Sequence, residues 1–179
     1  MNQRNKKLLL AAGLLAVCGV PAALAVHFFR LLPGEPLAVG GEVPEFEVLP
    51  VGGAQAAPRG GRRVLLFFSP SCPHCDPVLA QWGQLRERHP EWFAGDDALS
   101  LTLISVTGKE ATAAFAAVSP WPVYYDPGRR AIKAVRGVSV PYVVLIDEQG
   151  RVRYRRHGPR SLAQDEALLE SFYETGRAP

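Results

Sequence analysis

Val64-Leu65-Leu66-Phe67-Phe68-Ser69-Pro70-Ser71-Cys72-Pro73-His74-Cys75 is the stretch that decides how this chain is read. Its five consecutive apolar residues have strand length, and a strand without polar alternation is one buried on both faces at the centre of a sheet. Ser69-Pro70-Ser71 ends the run, and after Cys75 the residues Val78, Trp82, Leu85 and His89 recur at helical spacing. Two cysteines therefore stand between a central strand and the start of a helix. A thiol there meets the positive end of the helix dipole and free backbone N–H groups, which lower its pKa from about 8.5 to roughly 3.5–7.5. Cys72 is thus the expected nucleophile. Cys75, one turn further on, is placed to close a small ring with it and release any mixed disulfide that Cys72 forms. The plainer readings are a static disulfide and a zinc half-site. Zinc takes four ligands, and no second cysteine pair is present, so His74, His89 or His157 would have to be recruited. Redox chemistry is the expected reading, with no metal and no cofactor beyond a Cys72–Cys75 disulfide.

Outward from this stretch, strands and helices alternate. Phe46 and Val48, with Glu47 between them, suggest a short first strand, and residues 52–61 a loop. Leu99 to Val106 reads as a strand, Glu110 to Val118 as an Ala-rich helix, and Val123 to Tyr125 as a short strand. A basic helical turn over Arg129 to Arg136 precedes a second wholly apolar strand, Tyr142 to Ile146. Asp147-Glu148-Gln149-Gly150 is hairpin chemistry, and Val152 and Tyr154 alternate with arginines on the returning strand. Leu162 to Phe172 closes with an amphipathic helix. The order implies a three-layer α/β domain. Arg151, Arg153, Arg155, Arg156 and Arg160 read as a solvated face that includes His157. Trp82 and Trp92 read as packing, and Trp121 as lining or filling a groove.

The N-terminal end carries a different signal. No residue from Leu8 to Phe29 is a Lys, Arg, Asp or Glu, and as a helix this span would reach about 33 Å, enough for a bilayer core. Arg4, Lys6 and Lys7 lie before it, so the rest of the chain is expected outside the cytoplasmic membrane, on the periplasmic face of a bacterial inner membrane. Apolar residues through Phe28 and Phe29 favour an uncleaved anchor. Pro21 followed by Ala23-Leu24-Ala25 fits a cleavage site and a soluble periplasmic product. Cys18 reads as a membrane-buried small residue rather than a lipidation site, because Val17 is bulky. Three regions follow: a signal anchor or signal peptide over 1–30, a Gly/Pro-rich tether over 31–44, and a folded domain over 45–175. Lys and Arg number 20 against 17 Asp and Glu, and the three leading cations account for the whole excess of +3. A neutral remainder argues against nucleic acid as a partner.

Taken together, Phe67 to Cys75, Gly137-Val138-Ser139-Val140-Pro141-Tyr142 and Leu145-Ile146-Asp147-Glu148-Gln149-Gly150-Arg151 resemble the thioredoxin superfamily, and within it the membrane-tethered TlpA/ResA-like group related to the cytochrome c maturation thioredoxins. The resemblance covers residue 42 to about residue 172. It implies a thioredoxin-like three-layer fold with a central mixed sheet flanked by helices. It also implies a cis proline, matched by Pro141, that packs beside the disulfide and, with Val140, contacts substrate. Pro73-His74 matches the dipeptide of strongly oxidising Dsb proteins. Three positions depart from the pattern: Ser71 replaces a tryptophan, Leu66 a buried aspartate, and Tyr142 the glutamate of cytochrome-maturation members.

The expected activity is thiol–disulfide exchange with cysteine-containing exported proteins, with Cys72, Cys75, His74 and Pro73 as catalytic residues and a membrane redox partner. The alternatives are a cytochrome c maturation reductase, a copper chaperone using Cys72, Cys75 and His157, since thiolates select Cu(I), and a thiol peroxidase. The last needs a proline where Leu65 stands.

Overall fold

The computed structural model describes residues 38–95 and 97–178. The membrane signal expected over 1–30 and the first part of the tether lie outside them. No helix among the described residues is long and apolar enough to cross a membrane.

Six strands form one mixed sheet: β1 (Leu49–Val51), β2 (Arg63–Phe68), β3 (Ser100–Ser105), β4 (Val123–Tyr125), β5 (Tyr142–Ile146) and β6 (Val152–His157). Their spatial order is β1-β4-β3-β2-β5-β6. β2, β3 and β4 run parallel, while β5 is antiparallel to β2, β6 to β5 and β1 to β4. The two uniformly apolar segments, β2 and β5, are therefore neighbours at the interior of the sheet, the place where a strand must be apolar on both sides.

Alternate residues of β2 divide between two cores. Val64, Leu66 and Phe68 join Leu101, Leu103, Val143 and Leu145 on one face. Helices α1 (Cys75–Arg88) and α4 (Leu162–Thr175) cover that face with Val78, Trp82, Leu85, Leu168, Leu169 and Phe172. Helix α2 (Lys109–Ala116) adds Phe115 at its edge. Leu65 and Phe67 join Ile104, Tyr142, Val144 and Ile146 on the other face, beneath Ala131, Ile132 and Val135 of the short helix α3 (Arg130–Ala134) and its end. This is the three-layer, thioredoxin-like α/β arrangement. Trp82 and Trp92 are core residues. Trp121 meets the Phe93 ring edge-on at 5.3 Å and lies 4.5 Å beneath the Arg86 guanidinium.

Four expectations are corrected. Phe46 and Val48 are half-buried and Glu45 and Glu47 exposed, so the alternation is real. That segment nevertheless joins no ladder: it lies extended over the second core, and the first strand begins at Leu49. Period-two burial needs only an extended chain on an apolar face, and the sequence does not show whether a partner strand is present. Within the span read as tether, the Gly40 amide donates to the Val152 carbonyl at 2.7 Å, and the Val43 amide to Gly150 at 3.0 Å. Residues 40–43 thus belong to the folded unit, upstream of the expected boundary at residue 45.

The third correction concerns β6, where a register shift between Leu145 and Ile146 leaves Val152 opposite Ile146 and Tyr154 opposite Leu145. The extra residue sends Val152 and Tyr154 to opposite cores instead of one. The fourth is the arginine face. Arg156 is buried, and its Nη2 donates to both carboxylate oxygens of the fully buried Asp165 at 2.8 and 2.7 Å. Trp82 Nε1 donates to the same carboxylate at 3.0 Å. Arg153 Nε pairs with Asp147 at 2.5 Å. A charge on a strand covered by a helix is retained only when paired and hydrogen-bonded, and α4 supplies the acid.

Candidate functional site

The site lies where β2 ends. Beyond Phe68 the chain turns sharply: Ser69 and Ser71 hydroxyls are 3.0 Å apart, and the Cys72 amide donates to the Ser69 carbonyl at 3.0 Å. The Cys75 amide then donates to the Cys72 carbonyl at 2.9 Å, which sets the first turn of α1. Pro77 occupies that turn, where a missing N–H leaves nothing unsatisfied, and Asp76 suits the positive helix end. His74 is the N-cap residue, its side chain makes no capping bond, and both it and Pro73 are exposed.

The two thiols, both free, occupy unlike surroundings. Cys72 is half-buried at the rim. Cys75 is fully buried in the core cluster that contains Leu66. Burial pushes the Cys75 thiol up to about 12, with the neighbouring Cys72 sulfur and the Asp76 charge acting in the same direction and a backbone hydrogen bond at Ser69 opposing them. Leu66, apolar and in the same core cluster, offers no acceptor for its proton.

The opposite wall of the site is the segment between α3 and β5. The Val140–Pro141 bond is cis, and the Cys72 thiol donates to the Val140 carbonyl at 3.8 Å. Sequence positions 68 residues apart are thereby joined. Cys72, Cys75, Val140 and Pro141 converge, while Pro73 and His74 lie on the exposed rim.

Three residues that the sequence reading did not assign to the site hold this wall in place. Tyr142 is fully buried, and its hydroxyl donates to the Val135 carbonyl at 2.9 Å. Burial raises the Tyr142 phenol, and Arg155 opposes that rise. His157 stacks on the Tyr142 ring at 4.2 Å, its Nδ1 3.1 Å from the Ser139 hydroxyl. Gly137 passes so close to the core that a Cβ there would lie 2.6 Å from Ile132 and 2.7 Å from Tyr142. The aromatic residue next to Pro141 and the glycine four before it were the available signals. His157, on the far side of a hairpin, stood out in the sequence only as a metal-ligand alternative. Among the described residues, no three His, Cys, Asp or Glu side chains group as metal ligands.

Comparison with known proteins gives the chain's family and its structural neighbours. A family model described as AhpC/TSA family matches residues 39–155. The methylamine utilization protein MauD of Paracoccus denitrificans is 27% identical over 150 residues, which are 78% of this chain and 66% of that protein's length. The structure resembles an uncharacterized conserved protein of Geobacillus kaustophilus, with TM-score 0.64 and 18% identity over 80% of this chain and 86% of the other. It also resembles the thioredoxin domain of a thiol-disulfide oxidoreductase from Bacteroides vulgatus, with TM-score 0.60 and 16% identity over 76% and 99% of the two chains. At such identities the structural matches speak for a shared fold.

Proposed function

We propose, from the premise that the chain belongs to the AhpC/TSA family, that it is a thiol–disulfide oxidoreductase that exchanges disulfides with exported, cysteine-containing proteins through Cys72 and Cys75. The observation that carries the reading is the inequality of the two sulfurs: Cys72 reaches the surface beside the Val140 carbonyl, and Cys75 is sealed one turn behind it. One sulfur can meet a substrate, and the other can meet only the first.

In the reducing direction the Cys72 thiolate attacks one sulfur of a substrate disulfide. A Cys72–substrate bond forms, and the second substrate sulfur leaves as a thiolate that takes a proton from water. Cys75 then loses its proton to water and attacks the Cys72 sulfur, so that the Cys72–Cys75 bond forms and the substrate departs as a dithiol. Two electrons pass from the protein pair to the substrate. Run backwards, the Cys72–Cys75 disulfide oxidises a substrate dithiol. A membrane dithiol/disulfide partner restores the starting state. Val140 and Pro141 offer backbone to an extended substrate segment in the manner of an added strand, and Pro73 and His74 set the environment of the Cys72 sulfur. The N-terminal apolar span keeps this domain at the periplasmic face, as an anchor or, if cleaved, as a soluble periplasmic protein. Nucleic acid is no part of the function.

The test is trapping. Cys75→Ser should accumulate a mixed disulfide with a disulfide-containing polypeptide, and Cys72→Ser should form none. Tight 1:1 Cu(I) binding without any dithiol turnover would replace this reading with copper delivery. Selective trapping of apocytochrome c from a periplasmic extract would narrow the function to cytochrome c maturation.

A further inference from the structure

We infer that the surface of α3 and the loop leading to Pro141 selects protein substrates with acidic residues next to the reacting cysteine, an inference that rests on the oxidoreductase reading above. Residues 127–141 contain Arg129, Arg130, Lys133 and Arg136 and no acidic residue. All four cations are exposed, while Ala131, Ile132 and Val135 of the same segment are fully buried. The carboxylate that precedes them, Asp126, is turned inward: its two oxygens accept from the Ala131 amide at 2.9 Å and the Ile132 amide at 3.0 Å. Among the described residues none of the four cations pairs with a carboxylate.

Their position relative to Cys72 is fixed. The Gly137 amide donates to the Ile132 carbonyl at 2.8 Å, and Tyr142 ties β5 to the end of α3. Arg129 Nη2 reaches the Val138 carbonyl at 3.5 Å. Val138 is 75% exposed and stands two residues before Val140, whose carbonyl faces the Cys72 sulfur. A polypeptide joined to Cys72 and laid along Val140 must therefore pass Val138 and the cations. Arg129 and Arg136 hold φ of 59° and 57°, the left-handed region that glycine and asparagine adopt more easily than arginine. Backbone preference alone does not account for arginine at both ends of α3. The charges brought by adjoining elements include His157 and Arg155 of β6, both on the Tyr142 side, Asp76 in the first turn of α1, and the exposed Glu45 and Glu47 of the segment that packs on the same core as α3. A strip of four cations without paired carboxylates steers anionic chains and disfavours cationic ones. An anionic bilayer has the same charge, but laid against this strip it would cover Cys72, so a polypeptide is the fitting occupant.

The experiment uses the full chain in detergent and two cystine peptides, identical except that Asp and Glu flank the disulfide in one and Asn and Gln in the other. The acidic peptide should have the higher kcat/KM, on the order of tenfold at low ionic strength, with the ratio falling as salt is added. Arg130→Glu combined with Lys133→Glu should bring the ratio to one or below. Equal rates for the two peptides in the unaltered chain, or a ratio that the charge reversal leaves unchanged, would overturn the inference while leaving oxidoreductase activity standing. No exchange with either peptide would overturn that activity and the inference together. Exchange slowed in phosphatidylglycerol vesicles but not in phosphatidylcholine vesicles, with no preference between peptides, would assign the strip to a membrane surface instead.

Discussion

Two residues are proposed to control the chemistry in opposite ways. Cys75, held at about 12 chiefly by burial, loses most of its repulsion from Cys72 once Cys72 is engaged in a mixed disulfide, but it remains buried. Its thiolate fraction then rises about tenfold per pH unit until pH reaches the raised pKa, so ring closure should accelerate on the order of a hundredfold between pH 7 and 9. Release of a chromophoric thiol from Cys72 in a stopped-flow instrument reads this rate, and a plateau near the ordinary thiol pKa would show that burial does not govern Cys75. His74 is proposed to act on the other sulfur: a positive charge on an exposed imidazole at the N-cap would lie beside Cys72 and stabilise the reduced pair. A potential well above thioredoxin's roughly −270 mV is expected in glutathione buffers, and His74→Ala should move it towards that value. A wild-type potential at or below thioredoxin's would remove this role. The placement of the two cysteines at a helix start was legible because an apolar strand run precedes them and a helical period follows. Tyr142 and His157 were not, because their contribution is a stack between strands that no local pattern encodes.

Elements are joined by a few buried polar contacts, and the largest is the Arg156–Asp165 pair with Trp82, which ties β6, α4 and α1 together. Asp165→Ala would leave a guanidinium buried without its partner, a loss of about 3–5 kcal/mol. Urea unfolding should show a correspondingly lower midpoint, and a change under 1 kcal/mol would mean that water reaches Arg156 freely. α4 itself was read almost in full from its apolar periodicity. Its extension to Thr175 rests on its caps: Ser161 and Gln164 form a reciprocal capping box, and Gly176 ends the helix at φ 65°. The arginines of β6 misled because alternation along a strand reports side-chain direction only while the register is regular, and the bulge opposite Leu145 and Ile146 shifts it.

At the scale of the whole molecule, the leading cations and the apolar span are expected to place the domain outside the cytoplasm. Protease added to spheroplasts should remove it, and protection alongside a digested periplasmic control would reverse the assigned topology. The sequence by itself determined the helices and the strands from β2 onward, that β2 and β5 lie inside the sheet, and that two thiols stand at a helix start. These follow from hydrophobic period, run length and turn chemistry, all of which act over a few residues. Only the tertiary structure decided that residues 40–43 pair with the hairpin, that Phe46 and Val48 cover a core without joining the sheet, and that Arg156 is buried. It also decided that the Val140 carbonyl meets the Cys72 sulfur. Each of these depends on which surfaces remain uncovered once the layers have packed, and that is a property of contacts between distant segments rather than of any one of them.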